Sequence, residues 1–120
     1  MIVAGFGFRK GATQGSLADA LAQACKDHSP AAFATLEDKA SDLRDFADAR
    51  AVPLIAIAPE LAEAQTTLTQ STASLTHKST GSVAEATALA AIGPKARLSG
   101  PRSISTDRMA TCAIAIGDTE

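Results

Sequence analysis

The sequence of 120 residues contains no Trp and no Tyr, and its only aromatic residues are four Phe. Single-stranded nucleic acids need aromatic faces on which bases stack, and this chain has almost none to offer. Its net charge of −2 also supplies no excess of cations to neutralise a phosphate backbone. No nucleic acid is therefore expected as a partner. Long hydrophobic runs are missing too: nothing approaches the roughly 18 apolar residues of a membrane span, so no membrane partner is expected either. The opening Met1-Ile2-Val3-Ala4-Gly5 enters a strand-like run directly, without the basic region, apolar stretch and cleavage site of a signal peptide. Cysteine is scarce, and Cys25 and Cys112 sit among small apolar residues. They are expected to be reduced core thiols of a cytoplasmic protein rather than a disulfide.

What the chain has in quantity is alanine, 27 residues of it, within a hydrophobic fraction of 46% and a charged fraction of 20%. A chain of this length can bury about two-thirds of its unfolded surface, which suffices for one core. Residues 1–120 are expected to form a single domain. Ile2-Val3-Ala4-Gly5-Phe6 predicts a buried strand. Leu17, Ala20, Leu21, Ala24 and Cys25 fall at helical spacing and predict a helix over 14–27. Pro30 follows that helix, then an alanine-diluted strand over 31–36 and a helix over 40–51 that places Leu43, Phe46 and Ala47 on one face. Pro53-Leu54-Ile55-Ala56-Ile57-Ala58 predicts the clearest buried strand, with a short helix starting at Pro59. Residues 66–80 hold nine Ser or Thr in fifteen and no apolar period, so they read as a long loop. Ser82 and Glu85 form a capping-box pattern at the head of a helix over 82–92 that Gly93-Pro94 stops. A short strand near 96–99 and a last strand over 109–117 complete the chain. Alternating strands and helices build parallel sheets. The expected fold is α/β: three layers, α/β/α, with a mixed, mostly parallel sheet and an antiparallel strand at its edge.

Ligands of open α/β sheets bind where strands hand over to helices. The loop Gly5-Phe6-Gly7-Phe8-Arg9-Lys10-Gly11-Ala12-Thr13 occupies such a place. Its glycines let backbone approach a ligand, the amides at a helix start favour an anion, and Arg9 and Lys10 add full positive charges. The spacing is one residue longer than the dinucleotide fingerprint, and only Asp27 stands where its acidic partner would be, so nucleotide binding is a second alternative. A plain turn with solvated cations is the structural explanation. Glu37 and Asp38 beside Lys39 can do acid–base chemistry or merely start a helix, and Glu85 can be a base or only a cap. Cys25 and His28 are three residues apart, but a structural metal site wants four such ligands, and neither His77 nor Cys112 completes one; no metal or cofactor is expected. Ser71, His77 and Glu85 have no nucleophile elbow around them.

Val3 to Thr13, Gly81 to Leu89 and Ala110 to Ala115 together resemble one family, the CobE proteins and the C-terminal domain of CbiG from cobalamin (vitamin B12) biosynthesis. Val3 to Thr13 is similar to the family's opening strand and its G-x-G-x-R-x-G-[TA] loop. Gly81-Ser82-Val83-Ala84-Glu85-Ala86-Thr87-Ala88-Leu89 is similar to its G-x-[SV]-V-[AS]-E-A-A-A-L helix start, with Ser71 matching a preceding serine. Ala110-Thr111-Cys112-Ala113-Ile114-Ala115 is similar to its closing strand, and Leu36-Glu37-Asp38-Lys39 falls in register between them. The resemblance implies a stand-alone chain of the CobE type that binds a corrin-ring precursor, a tetrapyrrole derivative of the precorrin or hydrogenobyrinic acid type, as a carrier or a small enzyme. Ligand contacts would come from Gly5, Gly7, Arg9, Lys10, Gly11, Thr13, Lys39, Ser71, Gly81 and Ser82, with Glu37 and Glu85 as candidate catalytic groups. The first alternative is a hydrolase that opens the lactone of a precorrin-5 type intermediate and releases acetaldehyde. Partners would be the corrinoid intermediate and other enzymes of the pathway, and a homodimer is left open. The family often carries Lys shortly before the last strand, where this chain offers Arg102 and Arg108, so a task specific to a Lys amine would not be performed here.

Overall fold

A computed structural model of the chain describes residues 2–25, 28–63, 83–93, 95–100 and 102–117. The elements follow in the order β1 (Ile2–Phe8), α1 (Gln14–Cys25), β2 (Ala32–Leu36), a single 3-10 turn (Glu37–Lys39), α2 (Ala40–Ala49), β3 (Leu54–Ile57), α3 (Pro59–Glu63), α4 (Val83–Ile92), β4 (Arg97–Leu98), β5 (Ser103–Ile104) and β6 (Ala110–Ile116). The Ser/Thr-rich segment 66–80 lies outside the described residues.

The strands lie in the order β3-β2-β1-β6-β4, with β5 also on β6. β1, β2 and β3 pair parallel, whereas β6 runs antiparallel to β1 over its whole length, from Ile2 opposite Ile116 to Phe8 opposite Ala110. β4 and β5 pair antiparallel with β6 in turn, so five strands share one direction and β6 alone opposes them. This is the expected mixed, mostly parallel sheet between two helical layers. The closing strand is the antiparallel one, and the two-residue β4 and β5 lie outside it. Residues 103–104 carry no strand-like run long enough to be noticed in the sequence; β6 supplies the pairing that makes them a strand.

Side chains alternate across the sheet. Ala4 and Phe6 of β1, Phe33 of β2 and Cys112 and Ile114 of β6 face α1 and α2, and pack on Leu17, Leu21, Leu43 and Phe46. The aromatic centre of this half is Phe6 edge-on to Phe33 and Phe46, at 5.0 and 5.8 Å, with Phe33 stacked on Phe46 at 5.6 Å. On the other face Val3, Ala32, Ala34, Leu36 and Ile57 of β3 meet α3 and α4 through Ala62 and Ala86. From Ala84 to Leu89 every residue of α4 is buried, as its nearly unbroken apolar sequence required.

Alanine and glycine set the spacing of this second layer. A Cβ on Gly5 would lie 2.1 Å from the Ala84 carbonyl oxygen and 2.7 Å from the Ala88 amide nitrogen, so the backbone of α4 occupies the space of the missing side chain. The buried hydroxyls are satisfied within the same layers. Thr35 donates to the Phe6 carbonyl at 2.9 Å, Thr87 to the Val83 carbonyl at 2.8 Å, and Thr111 to the Gly7 carbonyl at 3.1 Å.

Candidate functional site

The parallel strands β1 and β2 end on one edge of the sheet, and because β6 opposes them, its beginning lies on that edge too. The turn between β5 and β6 therefore meets the loop after β1. The Arg9 N–H extends the β1–β6 ladder by donating to the Met109 carbonyl at 2.9 Å. The chain then reverses: the Ala12 N–H donates to the Arg9 carbonyl at 3.0 Å, with Gly11 at the third position and φ of +95°. That position of a type II turn needs positive φ, which glycine adopts without strain. Arg9 and Lys10 stand at the bend, both exposed.

Thr13 caps α1. Its hydroxyl accepts the Ser16 N–H at 3.1 Å, and the Ser16 hydroxyl accepts the Thr13 N–H at 3.3 Å. The cap thus takes the Thr13 and Ser16 amides, and Arg9 and Lys10 add full positive charge beside the helix start. The glycines divide their tasks. Gly5 admits α4, and a Cβ on Gly7 would meet the Thr111 hydroxyl at 3.0 Å and Val83 at 3.3 Å, whereas Gly11 makes the turn.

Parallel pairing of Gly5 with Ala34 carries the end of β2 to the same edge. There the 3-10 turn exposes Glu37 and Asp38 and lays the Lys39 ammonium over the half-buried Phe8 ring, 5.4 Å from its centroid. Arg9, Lys10, Glu37 and Lys39 thus belong to the same edge of the sheet, and Lys39 meets Phe8 there. Glu85 is not. It is fully buried on α4, and its Oε2 accepts the Arg102 N–H at 2.8 Å, tying α4 to the start of β5. Ser71, Gly81 and Ser82 lie outside the described residues, as do Asp27 and His77.

A polar clamp beside this surface was not anticipated from the sequence. Asp107 in the β5–β6 turn accepts the hydroxyl protons of Ser16 and Ser105, each at 2.5 Å, and the Met109 N–H at 3.1 Å. Reciprocally, Asp19 of α1 accepts the Thr106 N–H at 2.6 Å. Hydrogen bonds to the charged form hold both carboxyls below the ordinary range: for Asp107 chiefly those of Ser105 and Ser16, for Asp19 chiefly the Thr106 amide and then Gln23. The Ser105 hydroxyl also accepts the N–H groups of Met109 and Ala110, at 3.1 and 3.0 Å, which fixes the turn. Ser-x-Asp ahead of a strand is a local turn signal. Its partner Ser16 is 91 residues away, a distance no local pattern spans.

The opposite edge of the sheet carries a shallow cleft of about 340 Å³ lined by Leu21, Cys25, His28, Phe33, Arg50 and Val52, among others. Burial pushes the Cys25 thiol up, against the opposing pull of Arg50, and pushes the sealed Cys112 thiol well up. Both thiols are free. Among the described residues no three His, Cys, Asp or Glu side chains are grouped to hold a metal ion, and no helix is long and apolar enough to cross a membrane.

The family model described as "Cobalamin synthesis G C-terminus" matches residues 2–115. The fold is similar to the crystal structure of CobE, described as a protein from the cobalamin (vitamin B12) biosynthetic pathway. That match has 26% identity and a TM-score of 0.87, covering 99% of this chain and 93% of CobE. It is also similar to the cobalamin biosynthesis protein chiG from Agrobacterium tumefaciens str. C58, at 32% identity and a TM-score of 0.73, covering 99% of this chain and 100% of that one. No curated protein sequence matches the chain.

Proposed function

The chain belongs to the cobalamin synthesis G C-terminus family, and on that premise we propose that it binds a corrin-ring precursor at the carboxyl edge of β1 and β2. It is a cobalamin-biosynthesis protein of the CobE and CbiG type. The observation that carries the reading is the Lys39–Phe8 contact of 5.4 Å, which joins a cation from the end of β2 to the cationic loop after β1. Corrin precursors are flat macrocycles rimmed with acetate and propionate groups. Such a ligand asks for several separated cations around an apolar wall. Arg9 can grip one carboxylate through two parallel N–H bonds, Lys10 and Lys39 act as point charges, and Phe8 with Met109 offers the apolar ground between them.

Glu37 is exposed beside Lys39, so it is the carboxylate of this surface available for proton transfer if the bound precursor also reacts. Lactone opening with release of acetaldehyde is the reaction to look for; a carrier role leaves the ligand unchanged. Titrating the protein with hydrogenobyrinic acid, followed by its visible spectrum, tests the reading. Saturable binding is expected, weakening with salt because the contacts are between exposed charges. Arg9→Ala and Lys39→Ala should each weaken it by about tenfold, the size of one hydrogen bond to a charged group. No saturation at tens of micromolar protein, or full affinity in both variants, would overturn it.

A further inference from the structure

Arg108 sits in the β5–β6 turn at φ of +62°, a left-handed backbone that a long L side chain adopts at a cost and glycine adopts freely. Its N–H closes the turn onto the Ser105 carbonyl at 2.8 Å, a bond that any residue but proline would make. The side chain does nothing comparable for the fold: it is exposed and has no ion pair among the described residues. The groups that hold the Asp107 carboxyl low are Ser105, Ser16 and the Met109 amide, and the Arg108 guanidinium is not one of them. The Arg9 N–H to Met109 carbonyl bond of 2.9 Å puts Arg108 next to the residue that meets the cationic loop after β1. A residue that is costly in backbone, and whose exposed side chain has no partner among the described residues, is explained by something it binds.

Resting on the corrin-precursor reading, we infer that Arg108 is a further ligand contact at this edge, gripping a carboxylate of the same bound precursor from the β6 side while Arg9, Lys10 and Lys39 hold the β1 and β2 side. The binding surface then spans three adjacent strands. Arg108→Gly separates this role from a structural one, because glycine relieves the backbone. Its Tm should equal that of the wild type or exceed it by about 2 °C. Its affinity for hydrogenobyrinic acid should fall by about tenfold at low salt, with the difference shrinking as salt rises. Arg108→Lys, which keeps the charge, should lose less. Binding by Arg108→Gly as tight as wild type removes Arg108 from the site and leaves the corrin reading standing. A lowered Tm for Arg108→Gly assigns Arg108 to the fold and overturns the inference. Failure of the wild-type protein to bind overturns the corrin reading and this contact together.

Discussion

Gly5→Ala tests the central packing claim, because it adds one methyl group where the fold has no room. The new Cβ would lie 2.1 Å from the Ala84 carbonyl oxygen, 2.7 Å from the Ala88 nitrogen and 2.8 Å from the Thr87 hydroxyl. A relaxed C–H···O contact sits at about 3.3 Å, so the first of these is short by more than an ångström. The opposing atoms belong to helix backbone, which cannot rotate away as a side-chain tip would, so α4 must lift off β1. Overpacking a close-fitted core costs about 1–3 kcal/mol, and a rigid neighbour puts this substitution at the upper end, about 3 kcal/mol. For a domain of this size that lowers Tm by about 10 °C. Thermal unfolding followed by circular dichroism reads it directly. Gly15→Ala is the control: Gly15 is exposed in the first turn of α1, and an added Cβ meets only the Thr13 hydroxyl at 3.4 Å. It should be neutral or stabilise by about 0.5 kcal/mol. A Gly5→Ala protein melting within about 2 °C of wild type but binding its ligand poorly would refute the packing argument and make Gly5 a ligand contact.

Ser16→Ala removes both the Thr13 cap partner and a proton donor to Asp107; it should cost about 1 kcal/mol in urea denaturation and raise the Asp107 carboxyl toward its ordinary value in an NMR titration. Asp19 and Asp107 are both held low in the folded state, so their stabilisation is complete above the ordinary carboxylate range and is lost as pH falls through their lowered folded values. Tm measured from pH 5 to pH 2 should therefore drop more steeply for wild type than for Asp107→Asn, and identical slopes would refute the clamp. Cys25 is half-buried and Cys112 sealed, so a thiol reagent at mildly alkaline pH should label Cys25 slowly in the native protein and Cys112 only on unfolding. Equal labelling of both in the native state would contradict the packing of β6 against α1.

Local pattern was enough to read most elements. The apolar period of Leu17, Ala20 and Leu21, the run from Leu54 to Ile57 and the almost wholly apolar α4 each follow from the geometry of one helix or strand. But the run from Leu54 to Ile57, expected to be buried, is the edge strand β3, in which only Ile57 is buried because one side has no neighbouring strand. The loop from Phe8 to Thr13 was equally legible as a handover from strand to helix bearing two cations. Spacing alone made the three glycines look alike, and they are not: what Gly5 and Gly7 face depends on how closely α4 approaches, a property of two elements about 80 residues apart in the chain. Glu85 shows the same division. As a sequence feature it was a cap or a base, and the fold uses its carboxylate to hold the Arg102 amide.

By itself, then, the sequence determined most of the element types, the three-layer arrangement and the family, because these rest on periodicity, turn chemistry and motifs that lie within a few residues of one another. Tertiary structure alone decided the rest. It placed β6 against β1 inside the sheet, closed the Asp107–Ser16 clamp, and brought Lys39 onto Phe8 and the β5–β6 turn to the loop after β1. Each of these joins residues from different elements, and only the packing of one Ala-lined layer on another fixes which side chains come to share an edge.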